Sequence, residues 1–471
     1  MASSEENIYI IEPLPPPYFD IEVIPRASNR ASKTNEKEHS IGKQYDIFGK
    51  DQNIGKNIDS EISNEPNDRL YFVLVVVGLL GLVHMLPYTF FMTANEYWMY
   101  KFRNTTSNST DANERTYLQT NFNSLNQLYT TVPTVLSNFL LAFVAHKIKA
   151  MTRIIFTLAL HTSIFGTAAI FAKINTDSWQ DPFYFISVVM LILLMSSISF
   201  GAAGQFGLFS RLPPVYIKAY LVGEGFAAMF NAIMRLISIV ISPSPTGSAL
   251  IYFVTGSALM FLSTILTVIA GRTRYFRYYN SNTKADKKEK VRDTKELFRV
   301  TKCVWHMIFL NALFIMAPLS SIYNLVVSEN SNDPNNVWAN RYFVTVCTFL
   351  IPSIANTFGR AIYSKIDWDC PIPIIYLIVT GFQAVSTTCI FFANAKPRHH
   401  LPVILTHDWQ YSFAMATYAF LQGFIATLMS MKTIRLLPGN RVELGMLILT
   451  FFMSIAGAAF SPLGIYAVKI L

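Results

Sequence analysis

Three ionisable side chains interrupt long apolar stretches of the chain, and they are the first candidates for chemistry. Glu224 lies within 213–242, Arg360 within 341–363, and His84 within 70–95. A charge at the centre of a membrane helix costs roughly 2.5–3.5 kcal/mol, so each of these residues needs a partner or a function. Glu224 could contact a solute or an ion, or it could pair with a cation on another helix, such as Arg211 or Arg360. His84 could carry protons because imidazole titrates near neutral pH, or it could be a neutral, hydrogen-bonded histidine.

Further polar and aromatic residues could line a solute path. Asn356 and Arg360 are four residues apart, so they share one face of a helix, although Arg360 could instead extend to the lipid headgroups. Aromatic rings stack on bases or hold cations, methionine suits an adaptable wall, and side-chain amides and hydroxyls bind polar groups. The same residue types also pack between helices. The substrate-binding candidates are Tyr88, Met92, Gln205, Glu224, Ser353, Asn356, Arg360 and Gln422. The candidates for proton or ion coupling are His84 and Glu224.

The elements that carry these residues are predicted to be transmembrane helices. Of the 471 residues, 52% are apolar and only 14% charged, whereas soluble proteins carry about 25% charged residues. Strands that are not closed into a barrel cannot cross lipid with unpaired backbone groups, so we predict an all-α polytopic membrane protein. About eleven stretches are long enough to span the bilayer: 70–95, 124–146, 153–173, 182–208, 213–242, 248–271, 301–327, 341–363, 371–394, 409–432 and 442–470.

Charge in the loops predicts the orientation of the chain. The formal net charge is +9, and residues 272–300 alone hold ten lysines and arginines. Basic loops stay in the cytosol, so we place the N-terminus inside and, with an odd number of helices, the C-terminus outside. Two glycosylation sequons, at Asn104 and Asn108, fall in a loop placed outside. One basic loop, 396–400, contradicts this orientation.

We expect four parts along the chain. Residues 1–69 are polar and form a disordered cytosolic tail, 70–271 form a six-helix bundle, 272–300 form a basic cytosolic loop, and 301–471 form a five-helix bundle. The tail contains a P-P-x-Y motif, Pro15, Pro16, Pro17 and Tyr18, which resembles ligands of WW domains and predicts a WW-domain ubiquitin ligase as a partner. Four scattered cysteines lack metal-ligand spacing, and we predict no metal and no cofactor.

Several motifs, in order along 70–471, resemble the equilibrative nucleoside transporters. The first span contains Leu86-Pro87-Tyr88-Thr89-Phe90-Phe91-Met92-Thr93-Ala94, which is similar to the signature L-P-W/Y-N-x-F-x-T of that family. The others are Gly201-Ala202-Ala203-Gly204-Gln205, Leu212-Pro213, Gly223-Glu224-Gly225, Tyr275-Phe276-Arg277-Tyr278-Tyr279, Phe358-Gly359-Arg360, Lys396-Pro397-Arg398, His407-Asp408 and Gln422-Gly423-Phe424.

The resemblance implies an eleven-helix, major-facilitator-like fold with a 6+5 arrangement, a central solute site and alternating access without ATP. It also implies that Arg360 contacts the nucleoside, because the matching arginine does so together with an aspartate four residues earlier. Here that position is Asn356. Glu224 stands where many members have glutamine and resembles the plasma membrane monoamine transporter, and Tyr88 replaces a tryptophan found in many members.

We therefore predict a facilitative transporter of nucleosides, or nucleobases, in the plasma membrane or alternatively an endolysosomal membrane. The first alternative is a transporter of organic cations or monoamines, and the second is a receptor or sensor that transports nothing. An enzyme is not expected, because the chain contains neither H-E-x-x-H nor G-x-S-x-G.

Overall fold

A computed structural model describes most of the chain from residue 66 onward, and these residues belong to one compact unit, Glu65–Leu471. The described residues are 66–105, 116–144, 147–242, 244–281, 322–331, 333, 335–366, 372–396, 398, 400–437, 442–460 and 463–470. The predicted tail up to residue 65, most of the basic loop and most of the predicted span 301–327 lie outside them.

The described residues are predominantly helical, which confirms the predicted all-α class. The helices of the first half are α1 Phe72–Thr93, α2 Asn95–Lys101, α3 Tyr117–Val144, α4 Ala150–Lys173, α5 Gln180–Phe209, α6 Pro214–Ile241, α7 Pro245–Arg272 and α8 Arg274–Ser281. Those of the second half are α9 Ile351–Ile366, α10 Ile372–Phe391, α11 Asp408–Leu436, α12 Val442–Phe460 and α13 Leu463–Ile470. The only extended pairing among the described residues is two isolated bridges, Val326 with Ala395 and Ala393 with Leu405.

Within the described part, seven helices are long and apolar enough to cross a membrane: α1, α4, α5, α6, α7, α11 and α12. The protein is therefore a multi-pass membrane protein. Helices α3, α9 and α10 coincide with three more of the predicted spans.

The ends of the first span differ from the prediction 70–95. The carboxylate of Asp68 accepts hydrogen bonds from the backbone amides of Val73 and Leu74, both at 3.1 Å, and thereby satisfies free donors at the start of α1. At the other end the chain leaves α-helical geometry at Ala94 and then turns into the separate helix α2.

Close helix crossings bring α1, α6, α9 and α11 together, and α6 packs on α1 and on α9. A side chain at Gly223 of α6 would collide with the carbonyl oxygen of Gly78 in α1. A side chain at Gly359 of α9 would collide with the carbonyl oxygen of Phe420 in α11. Membrane helices approach closely where such small residues meet, and here the approach positions the ionisable residues.

The segment that leads into α9 is wound more widely than an α-helix. Trp338–Tyr342 and Val344–Leu350 are π-helical, and α9 follows directly at Ile351. Pro352, at the second position of α9, has no amide hydrogen to donate to the preceding turn. A helix start tolerates proline for this reason, so Pro352 marks the point where α-helical geometry begins.

Candidate functional site

Glu224 is the centre of a buried polar cluster in which three helices meet. Its Oε1 lies 3.0 Å from Nδ1 of His84 in α1, and its Oε2 accepts a hydrogen bond from Nη1 of Arg360 in α9 at 3.1 Å. The side chains of Glu224, His84 and Arg360 are 8%, 6% and 16% exposed. Of the two cations considered for Glu224, the structure selects Arg360, whereas Arg211 donates to Asn280 at 2.9 Å.

The hydrogen bonds around His84 identify which ring nitrogen carries the proton. The hydroxyl of Tyr220 donates to Oε1 of Gln205 at 2.8 Å, so its oxygen is free to accept from Nδ1 of His84 at 3.0 Å. Both neighbours of Nδ1, the Tyr220 oxygen and the Glu224 carboxylate, are then acceptors, and Nδ1 must be protonated. The other ring nitrogen, Nε2, has no hydrogen-bond partner among the described residues.

Asn356 holds the second side of the Arg360 guanidinium. Nε of Arg360 donates to Oδ1 of Asn356 at 3.1 Å, and Nη1 also donates to the carbonyl of Leu221 at 3.0 Å. The amide of Asn356 donates in turn to the carbonyl of Ala419 at 3.1 Å, which fixes its orientation. Arg360 thus has one carboxylate, from Glu224 of α6, and one neutral amide oxygen, from Asn356, as side-chain acceptors among the described residues. Gly225 leaves room for this contact, since a side chain there would lie 2.9 Å from Cδ of Arg360.

The other predicted site residues differ in their exposure and in their contacts. Tyr88 is 38% exposed. Gln205 is 3% exposed, and among the described residues its link to the cluster is the hydrogen bond from Tyr220, so it supports the cluster indirectly.

The remaining three candidates make contacts of other kinds. Met92 packs against the hydrophobic core. The hydroxyl of Ser353 donates to the carbonyl of Phe349 at 2.6 Å, and Oε1 of Gln422 accepts from the amide of Gln383. The structure therefore joins His84, Gln205, Glu224, Asn356 and Arg360 in one network with Tyr220. The contacts given above for Met92, Ser353 and Gln422 are with other residues.

Ion pairs that the sequence analysis did not identify connect distant helices. Arg153 of α4, 1% exposed, pairs with Glu443 at the start of α12. Arg235 of α6 pairs with Glu96 of α2 at 2.7 Å and donates to Thr345 of the π-helical segment at 3.2 Å. The residues of these two pairs are 290 and 139 positions apart in the sequence, so no local pattern predicts that they pair.

The basic loop at 396–400 contradicted the predicted orientation. One of its charged residues, Arg398, has a structural role in the loop. Arg398 donates to the carbonyls of Leu401, Pro402, Phe391 and Ala393. Burial lowers the pKa of Arg398 from its usual value. Through these hydrogen bonds its guanidinium holds the backbone of the loop together.

No group of three potential metal ligands among histidine, cysteine, aspartate and glutamate occurs in the described residues. The cluster around Glu224 instead offers guanidinium and amide donors and a carboxylate, which suit a polar organic solute.

The sequence pattern of a protein family described as "Nucleoside transporter" matches residues 189–301 and 285–463. The chain belongs to this family. The resemblance inferred from the motifs is thereby confirmed. Equilibrative nucleoside transporter 1 of Homo sapiens is 28% identical over 456 residues, which cover 85% of this chain and 98% of that protein. Equilibrative nucleoside transporter 3 of Rattus norvegicus is 24% identical over 436 residues, which cover 85% and 90%.

Among solved structures, this member of the family is similar to the Major Facilitator Superfamily transporter FucP in the outward conformation. The TM-score is 0.49 at 11% sequence identity, over 84% of this chain and 92% of that one.

Proposed function

We propose that this protein transports nucleosides across a membrane by facilitated, alternating access. Its membership of the nucleoside transporter family and its multiple membrane-spanning helices support this proposal. The observation that carries it is the buried Glu224 cluster, which connects α1 and α6 to α9. Charges are retained at such depth where they serve a solute path or a proton path.

In this proposal Arg360 and Asn356 bind the polar groups of the nucleoside. Arg360 has five N–H donors, and the described contacts use Nε and Nη1, so Nη2 is available for a hydroxyl or a base oxygen. Tyr88 provides an accessible ring on which a base stacks, and Met92, Ser353 and Gln422 complete the path. Glu224 and His84 hold the guanidinium in place, and Gln205 acts through Tyr220.

The organic-cation alternative is less well supported by the geometry. Both carboxylate oxygens of Glu224 are already engaged, Oε1 by His84 and Oε2 by Arg360. A cationic solute would have to displace a guanidinium that is itself a cation. Glu224 is therefore better suited to orienting Arg360 than to binding a monoamine.

We further propose that the segments 70–271 and 301–471 act as the two moving bundles, joined by the basic loop 272–300. The N-terminus lies in the cytosol and the C-terminus outside, in the plasma membrane or alternatively in an endolysosomal membrane. Asn104, which we propose as a glycosylation site, is exposed, whereas Asn108 and the WW-domain motif at Pro15, Pro16 and Tyr18 lie outside the described residues.

The test is uptake of radiolabelled uridine, adenosine and a monoamine into proteoliposomes that contain the purified protein. The proposal expects saturable uridine and adenosine uptake and a large loss of both in Arg360→Ala. Monoamine uptake without nucleoside uptake would establish the cation alternative, and no saturable flux of any of the three would favour a receptor or sensor. Uptake that is insensitive to an imposed pH gradient would exclude proton coupling through His84 or Glu224.

A further inference from the structure

A cavity whose described lining includes none of the residues of the Glu224 cluster lies between the start of α1 and the start of α8. Its volume is about 810 Å³, and its described walls come from 66–70, Phe72 and 273–275. Two exposed arginines line it, Arg69 and Arg274. Nothing in the proposed transport mechanism uses this cavity.

The only acid among the described lining residues, Asp68, has both carboxylate oxygens engaged by local hydrogen bonds. Asp68 accepts hydrogen bonds from the amides of Val73 and Leu74, and it accepts another from the hydroxyl of Tyr216 at 2.9 Å. Among the described lining residues the cavity therefore presents two guanidinium groups against one carboxylate, whose oxygens are already hydrogen-bonded, and positive charge is in excess. This charge distribution fits an anion.

The walls of the cavity are held in place by packing. The ring of Tyr216 lies 5.5 Å from that of Tyr275, so one tyrosine ties Asp68 to the first turn of α8. Tyr275 and Phe276 are 7% and 6% exposed, while Arg274 and Arg277 on the same short helix point to the exposed side. Helix α8 is thus an amphipathic helix of the kind that lies at a membrane surface.

Exposed apolar side chains border the arginines. Leu70 is 96% exposed and Tyr71 is 70% exposed. Both have a left-handed backbone, with φ of 56° and 52°, which is costly for residues other than glycine. An apolar border beside two guanidinium groups matches a molecule with an anionic head and a hydrocarbon tail rather than a small soluble anion.

We propose that this cavity binds an anionic phospholipid, with the phosphate between Arg69 and Arg274 and the acyl chains along Leu70 and Tyr71. The ten basic residues of 272–300, against four acidic ones, draw such lipids to the same membrane surface. The bound lipid connects the start of α1 to α8, which directly follows α7.

The test uses the full-length protein in neutral detergent, with its thermal unfolding followed by tryptophan fluorescence while a short-chain lipid is titrated. Dioctanoyl phosphatidylserine should raise the unfolding temperature saturably, and dioctanoyl phosphatidylcholine should not. The variant Arg69→Gln/Arg274→Gln should bind phosphatidylserine about thirtyfold more weakly, because each of the two basic residues contributes about 1 kcal/mol. Its unfolding temperature without lipid should match that of the original protein, since both arginines are exposed.

The matched control is Lys147→Gln/Lys149→Gln, which removes the same charge from two exposed lysines that do not line the cavity. This control should retain the original affinity. Equal weakening in both double variants would overturn the proposal in favour of diffuse attraction. An equal stabilisation by inorganic phosphate would overturn the assignment to a lipid. The readout needs no transport, so failure of this proposal is separate from failure of the proposed function.

Discussion

Moving the carboxylate from position 224 to position 356 tests whether Arg360 requires a carboxylate beside it. It also tests at which of the two positions the carboxylate must lie. Glu224→Gln keeps the size of the side chain but removes its charge. Arg360 then has neutral acceptors in place of a carboxylate, and two of them, Oδ1 of Asn356 and the carbonyl of Leu221, are unchanged by the substitution. Breaking a buried pair by removing one partner costs about 3–5 kcal/mol. Because those two acceptors remain, we expect the lower end, about 3 kcal/mol, which corresponds to roughly 150-fold in an equilibrium constant.

The second substitution should reverse this loss. In Glu224→Gln/Asn356→Asp the carboxylate stands one helical turn before Arg360, at a position whose oxygen already lies 3.1 Å from Nε. We expect the double variant to regain at least about 1.5 kcal/mol, or about tenfold, in uridine uptake and in stability. Asn356→Asp alone is the control, and it should retain uptake because one guanidinium has donors for two carboxylates.

The assay is the initial rate of uridine uptake in proteoliposomes, together with thermal unfolding in detergent. A double variant that is no better than Glu224→Gln would refute the reasoning, since Arg360 would then not be the group that needs the charge. Unchanged uridine uptake in Glu224→Gln, with reduced monoamine uptake, would instead support the organic-cation alternative.

Two other predictions concern the helix contacts. Arg153→Gln should destabilise the protein by roughly 3 kcal/mol, because it leaves Glu443 without its partner; thermal unfolding measures this, and Arg153→Gln/Glu443→Gln should be more stable than the single variant. Gly359→Ala should abolish uridine uptake because its methyl group collides with the Phe420 carbonyl, whereas Gly381→Ala, with no atom within 4 Å of the added carbon, should leave uptake unchanged.

Composition predicted the class of fold, because a chain with so few charges has to bury its apolar surface in lipid. Composition could not predict the residue at which each span ends. At Ala94, for example, a local change in backbone conformation ends the first span. The number of helices stays a prediction, since most of 301–327 lies outside the described residues.

The candidate site was predicted in part. Sequence reasoning named Arg360 as a possible partner of Glu224, and the structure places them 3.1 Å apart. It did not connect His84 to Glu224, although Gly223 beside Glu224 was a sign of a close helix approach. Tyr220 was missed altogether because a tyrosine in an apolar helix has no distinctive pattern. Such contacts depend on which helices cross, and that information is not local.

The wide π-helical winding before α9 has a mechanical consequence. An α-helix has 3.6 residues per turn, so each residue turns the helix by roughly 100° about its axis. A π-helical turn contains one more residue, and each such turn therefore rotates the following helix by roughly 100° relative to a continuous α-helix. If the turns of Val344–Leu350 tightened, α9 would revolve about its long axis. Asn356 and Arg360 would turn together because they lie on one face, and both would swing away from Glu224. The winding of this segment therefore determines how α9 is rotated about its axis, and the Glu224–Arg360 contact fixes that rotation.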